Sequence, residues 1–199
     1  NIFAEKPFDL ITKRNLSKLY DFKEFFDETV RILKEKSTRY KNQELLVNGD
    51  QTLGNIFRTN IKIISDFEKI ILSEIENYRK KFISSEQGFI KYWPNKFSLN
   101  GWIINMKNGG KLRPHIHESG WISGAVYIHV PEKKFENSGN FVLCYDDAEH
   151  EEIFKESENK IIDVITGDIV LFPSSLMHYT IPFESFKERI VLAFDLIPE

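Results

Sequence analysis

The sequence predicts an α+β fold in which N-terminal helices pack outside an antiparallel β sandwich or jelly roll. Three observations predict it. The hydrophobic period changes from about 3.6 residues to about 2 after Pro94. At least six short segments rich in β-branched and aromatic residues follow, and they are divided by turn-forming or charged loops rather than by helix-length spacers.

The helical part is read from spacing. In DFKEFFDETVRILKEK, residues 21–36, Phe22, Phe26, Val30 and Leu33 recur at steps of four, four and three with acids and lysines between them, as an amphipathic helix requires. Ile64, Phe67, Ile71, Ile75, Tyr78 and Phe82 continue that spacing along a longer helix, whose opposite side holds Lys69, Glu76 and Arg79. Between the two, NGDQTLGN at 48–55 has the chemistry of a turn rather than of a regular element. The expected strands are FSLNGWIINM, WISGAVYIHV, GNFVLCY, KIIDVIT, DIVLF and RIVLAFDL, separated by loops such as KNGG, PEKKFENSG and ESENK. The acidic stretch DDAEHEEIFKESENK at 146–160 reads as a solvated loop, with Ile153 and Phe154 available to cap a sheet.

Composition narrows the function classes. At 199 residues the chain suits one well-buried core and falls short of two large domains, so a single domain is expected over 1–199, with 1–96 as mainly helical support and 97–199 as the β core. The 17 phenylalanines supply the bulk that fills a wide sheet interior. A net charge of -3, without any run of five or more basic residues, argues against nucleic acid as a partner. A lone Cys144 excludes an intrachain disulfide and a thiolate zinc cage and points to a reducing, cytoplasmic setting. The greasiest stretch, IKIISDFEKIILSEI, is broken by Lys62, Asp66, Glu68 and Lys69, so no membrane span is expected. The chain opens at Asn1 without a signal-like segment, which reads as a piece of a longer polypeptide.

All five histidines, at 115, 117, 129, 150 and 178, lie in the β half. In a strand begun by Pro114, His115 and His117 project from the same face, a geometry that suits chelation. An isolated HxH pair is more often a surface or turn pair. A third histidine, His178, on a short extended run after Pro173, completes the set that a facial metal site with open positions needs. Arg189 is a lone cation inside the apolar strand RIVLAF. Its planar fork matches a carboxylate at two points, and the competing reading is an internal salt bridge with Glu184, Glu188 or Asp168. Tyr127 shares strand parity with Ser123 and the two histidines, which puts its hydroxyl within reach of a bound ligand, although a tyrosine there is more often core with a satisfied hydroxyl. Asn105, on an apolar strand, is a similar candidate. Ser174 reads as part of a Pro-Ser turn, His129 and His150 as structural or exposed, and Trp102 and Trp121 as core.

Together QTLGNIF at 51–57, the strand around Trp102, HIHESGWISGAVYIHVP at 115–131 and LFPSSLMHYTIPFESFKERIVLAFDLIP at 171–198 resemble a family of 2-oxoglutarate- and Fe(II)-dependent oxygenases of the prolyl-hydroxylase superfamily, whose members often follow tetratricopeptide repeats. The resemblance implies a double-stranded β-helix, a jelly roll of cupin-like form, with Fe(II), 2-oxoglutarate and O2 at its open end, and it allows for an upstream repeat domain. It implies that His115 and His178 are catalytic metal ligands; His117 is taken as the third in preference to the adjacent Glu118, which should face the other way on an extended strand. It also implies that Arg189 clamps the distal carboxylate of 2-oxoglutarate; Tyr127 and Asn105 are weaker cosubstrate candidates that rest on strand position alone. His117 stands where the superfamily usually has an aspartate, and Val191 where many relatives have a serine or threonine. The expected activity is hydroxylation of a small-molecule or peptide substrate with release of succinate and CO2. Two other readings stand beside it: a cupin-like dioxygenase or isomerase that uses no keto acid, and a non-catalytic jelly-roll binding module.

Overall fold

The computed structural model describes residues 4–145 and 159–199. Its first long helix, α1 (Phe22–Lys34), starts where the Asp21 carboxylate accepts hydrogen bonds from the backbone N–H groups of Lys23 and Glu24, and it ends with Arg31 and Lys34 against the negative end of its dipole. Its buried face is Phe22, Phe25, Thr29 and Ile32. The stripe read from the sequence is therefore displaced: Phe26, Val30 and Leu33 are only half-buried and flank the contact, because an apolar face this wide offers more than one centre line. Helix α2 (Lys62–Lys81) buries Ile64, Phe67, Ile71, Ile75 and Tyr78 as expected, and the one-turn α3 (Gly88–Lys91) follows it.

Ten strands occur among the described residues: β1 (Thr12–Asn15), β2 (Tyr40–Lys41), β3 (Leu46–Thr52), β4 (Phe97–Leu112), β5 (Ile122–His129), β6 (Phe141–Cys144), β7 (Lys160–Ile162), β8 (Asp168–Pro173), β9 (Met177–Thr180) and β10 (Arg189–Pro198). They form a seven-stranded sheet, β1-β8-β5-β10-β4-β3-β2, and a three-stranded sheet, β7-β6-β9, with every neighbouring pair antiparallel.

Two expectations fail between β3 and β4. The segment 48–55 is not a turn, since β3 runs through most of it, and KNGG does not end β4, which continues to Leu112. The turn chemistry is spent inside the ladder: Asn48 and Gly109 take left-handed φ values of 49° and 73°, and the pairing slips register between Val47 and Gly49. Such a bulge admits turn residues without ending the strand pair.

Strand alternation then divides the large sheet. Ile190, Leu192, Phe194 and Leu196 of β10 join Val126, Ile128, Ile169 and Leu171 in a core shared with α1 and α2. On the other face Ala125, Tyr127, Val170, Phe172 and Val191 meet Phe141, Leu143 and Ile162 of the small sheet. The result is the expected jelly roll with helices packed on one outer face. His150, Ile153 and Phe154 lie outside the described residues.

Candidate metal centre

His178 is carried by β9, and His115 and His117 by the connection between β4 and β5. The pair was expected on a strand begun by Pro114, but β5 starts only at Ile122. What orients the pair instead is an isolated antiparallel bridge, in which the N–H of His115 donates to the His178 carbonyl (3.1 Å) and the N–H of His178 returns the bond (2.9 Å). The N–H of His117 donates to the Ser174 carbonyl at 3.1 Å, so both ends of the HxH triplet are tied to the segment that carries the third histidine.

The ligand atoms of the three rings lie within 4.8 Å of one another. In each ring the Nδ1 faces an acceptor: the Arg113 carbonyl for His115 (2.8 Å), the Asp195 carboxylate for His117 (2.6 Å) and the Leu176 carbonyl for His178 (3.0 Å). A carbonyl or carboxylate only accepts, so the proton of each neutral ring sits on Nδ1 and the Nε2 lone pair is bare. Burial lowers the His115 pKa to about 4 and holds His178 well below the ordinary histidine value, with the neighbouring histidines adding to both shifts. Both rings are thus neutral near pH 7. Three bare imidazole nitrogens without a thiolate suit iron, nickel, cobalt or zinc rather than calcium or magnesium. Glu118 is exposed, and the cluster does not include it.

The histidines open into a narrow cavity of about 60 Å³. Tyr127 and Arg189 line it, with apolar walls from Ile104, Met106, Phe141, Phe172 and Val191. Arg189 is 2% exposed, and its Nε has no partner. Its guanidinium lies 5.1 Å from the centre of the Tyr127 ring. Among the described residues no carboxylate pairs with it, whereas Asp168 is occupied by Asn15 (2.9 Å) and Lys13 (3.6 Å). Burial raises the Tyr127 pKa, which keeps its phenol protonated and able to donate.

Other placements differ from the sequence reading. Asn105 is not brought to the cavity, because it alternates along β4 with Trp102, Ile104 and Met106, which line it. By the same alternation Trp102 belongs to the site, its ring 5.5 Å from that of His117, while Trp121 stacks on Phe89 in the core as expected. Ser174 does more than turn the chain, since its Oγ lies 2.8 Å from that of Ser123 behind His117. A Cβ on Gly120 would come within 2.5 Å of that Ser174 oxygen, so the close approach there requires glycine. His129 is structural, bonding the Glu188 carbonyl at 2.5 Å.

Sequence reading missed Asp195 and Thr180. Asp195 lies six positions beyond Arg189 on β10, hence on the same sheet face, and Thr180 lies two beyond His178 on β9. Strand parity applied to those segments points to both.

Residues 100–195 match the family described as "Putative 2OG-Fe(II) oxygenase". No curated protein sequence matches the chain. Among solved structures it is similar to a Pseudomonas putida prolyl-4-hydroxylase (10% identity, TM-score 0.60, 95% of this chain and 92% of that one). It is also similar to a Trichoplax adhaerens prolyl hydroxylase in complex with a hypoxia inducible factor peptide fragment (10%, 0.66, 98% and 87%). A third is HygX from Streptomyces hygroscopicus with nickel, 2-oxoglutarate and hygromycin B bound (13%, 0.62, 96% and 84%). At these identities the likeness is one of fold. The matched residues, 100–195, span the three histidines, Tyr127 and Arg189, and over them the chain is similar to the family of 2OG-Fe(II) oxygenases.

Proposed function

We propose that the protein couples hydroxylation of a substrate C–H bond to the oxidative decarboxylation of 2-oxoglutarate to succinate and CO2, with Fe(II) held by His115, His117 and His178. One observation carries this reading: three bare imidazole nitrogens and an unpaired, buried guanidinium line a single cavity. Iron(II), when bound, supplies the oxygen-activating chemistry that no side chain provides. The three Nε2 atoms would hold it. Arg189 takes the distal carboxylate of the keto acid, and the anion answers a cation that the fold leaves without one. The Tyr127 phenol and the Thr180 hydroxyl, which also lines the cavity, donate to the cosubstrate and replace the hydroxyl that Val191 does not offer. The apolar walls exclude water and strengthen these charge contacts.

Past the histidines the cavity meets an open groove lined by Gln43, Gln51, Asn100, Trp102, Ile116 and Glu118. Similar folds hold a peptide fragment in one case and hygromycin B in another, and the substrate proposed here is a peptide or small molecule seated in this groove. The single-domain organisation, the cytoplasmic setting, fusion to an upstream repeat domain and the absence of a nucleic-acid partner belong to the same proposal; no helix of the described residues is long and apolar enough to cross a membrane.

The test is succinate release by purified protein given Fe(II), 2-oxoglutarate and O2, with His178→Ala alongside. Succinate formed by wild type and absent from the variant is the expected result. Metal binding without any consumption of 2-oxoglutarate would favour the keto-acid-free enzyme.

A further inference from the structure

His117 differs from the other two histidines in what stands behind it. His115 and His178 rest their Nδ1 atoms on neutral backbone carbonyls, but the Nδ1 of His117 lies 2.6 Å from Oδ1 of Asp195. That carboxylate is 6% exposed. The Ser123 hydroxyl donates to the same oxygen at 2.6 Å, Ser123 Oγ lies 3.1 Å from the ring nitrogen, and Ser174 Oγ sits behind it at 2.8 Å. Among the described residues no lysine or arginine pairs with Asp195, and its one ion-pair partner is His117. A buried carboxylate facing an imidazole and one hydroxyl is a costly arrangement unless positive charge lies on the far side of the ring.

We propose that Asp195 is a positioning residue for His117. It fixes the Nδ1–H tautomer, sets the ring plane, and places one negative charge directly behind a ligand set that is otherwise neutral. The inference rests on the metal reading of the three histidines. Its physical content is that a divalent ion bound by three imidazoles keeps its full charge, and a carboxylate bonded to one imidazole makes that ring a stronger donor and offsets part of the charge. Ser123 and Ser174 hold the carboxylate in register, and Gly120 leaves room for them. The other two histidines lack such a partner among the described residues, so the effect is confined to His117.

The experiment is an anaerobic Co(II) and Fe(II) titration of wild type, Asp195→Asn, Asp195→Ala, Ser123→Ala and His178→Ala, with a thermal melt of each metal-free protein to show that it is folded. The asparagine is isosteric and keeps an acceptor for Nδ1–H while removing the charge. It should weaken metal binding by about 10- to 100-fold, the range typical for loss of such an outer partner. The alanine also frees the ring and should lose more, and Ser123→Ala, which keeps the charge, should lose less. The Fe(III)/Fe(II) midpoint potential should rise in Asp195→Asn, because the lost anion favours the ferric state; a purely structural role would leave it unmoved. Equal affinity and equal potential in wild type and Asp195→Asn overturn the inference while the metal site stands. Absence of saturable binding in wild type removes the metal reading and the inference with it.

Discussion

Replacing Arg189 by methionine separates a cosubstrate anchor from a structural cation by the size of one measurement. The guanidinium is buried at 2% exposure with Nε unbonded, and its contacts include a hydrogen bond to the Tyr127 hydroxyl, the Tyr127 ring centre at 5.1 Å and the Met106 sulfur at 3.8 Å. Removing the unsatisfied group recovers about 1–3 kcal/mol, and losing the desolvated cation–π contact gives back up to about 2 kcal/mol. The metal-free variant should therefore lie between about 1 kcal/mol less stable and about 3 kcal/mol more stable than wild type, each kcal/mol moving Tm by ~2–4 °C for a chain of this size. A structural salt bridge predicts a larger loss, since stranding a buried carboxylate costs about 3–5 kcal/mol. The second arm is affinity. A charge-assisted contact of about 1.5–3 kcal/mol corresponds to a roughly 10- to 150-fold rise in the Kd for 2-oxoglutarate, with metal affinity nearly unchanged. Calorimetry of the metal-free protein, then an anaerobic 2-oxoglutarate titration of the metal-loaded form, reads both. A melting temperature lowered by more than about 6 °C, three times the per-kcal shift above, or an unchanged 2-oxoglutarate affinity, would refute the reasoning.

Three more predictions concern the histidines. His178→Ala removes a ring that is 4% exposed and should weaken Fe(II) binding beyond the ~10- to 100-fold loss typical of an outer partner; an unchanged isotherm removes His178 from the site. His117→Ala should lose metal while His117→Asp retains it and Glu118→Gln binds as wild type does. Full occupancy in His117→Ala, seen in the same titration, would make the third ligand something else. Stability of the metal-free protein should fall with acid. His115 titrates near 4 when folded against 6.5 for an ordinary histidine, so the unfolded chain takes up the proton first and the stability present above about pH 6.5 is lost as pH drops toward 4. Urea midpoints at several pH values check this, and His115→Gln should flatten the slope.

Much of this arrangement is legible from residue order, and the exceptions have causes. The two periods marked helices and strands because each element buries one face, as Ile64, Phe67 and Ile71 do against the outer face of the large sheet. The three histidines and Arg189 were legible because charged or polar side chains stand out in apolar strands. β3 and the far half of β4 were not, since Asn48-Gly49 and Gly109-Gly110 carry local turn chemistry that the long-range ladder overrides with a bulge. Asn105 was misplaced because a polar residue on an apolar strand looks functional until its parity with Ile104 and Met106 is counted. Asp195 went unnoticed for the converse reason, because an acid near a strand end reads as a terminus although its parity matches Arg189.

The central claim is that one cavity binds Fe(II) and 2-oxoglutarate together, and an anaerobic titration of 2-oxoglutarate into the protein with and without Fe(II) measures it most directly. The account predicts one keto acid per chain, bound tightly only when the metal is present and weakly in Arg189→Met. Binding that is indifferent to the metal and to Arg189, or no binding at all, would contradict it.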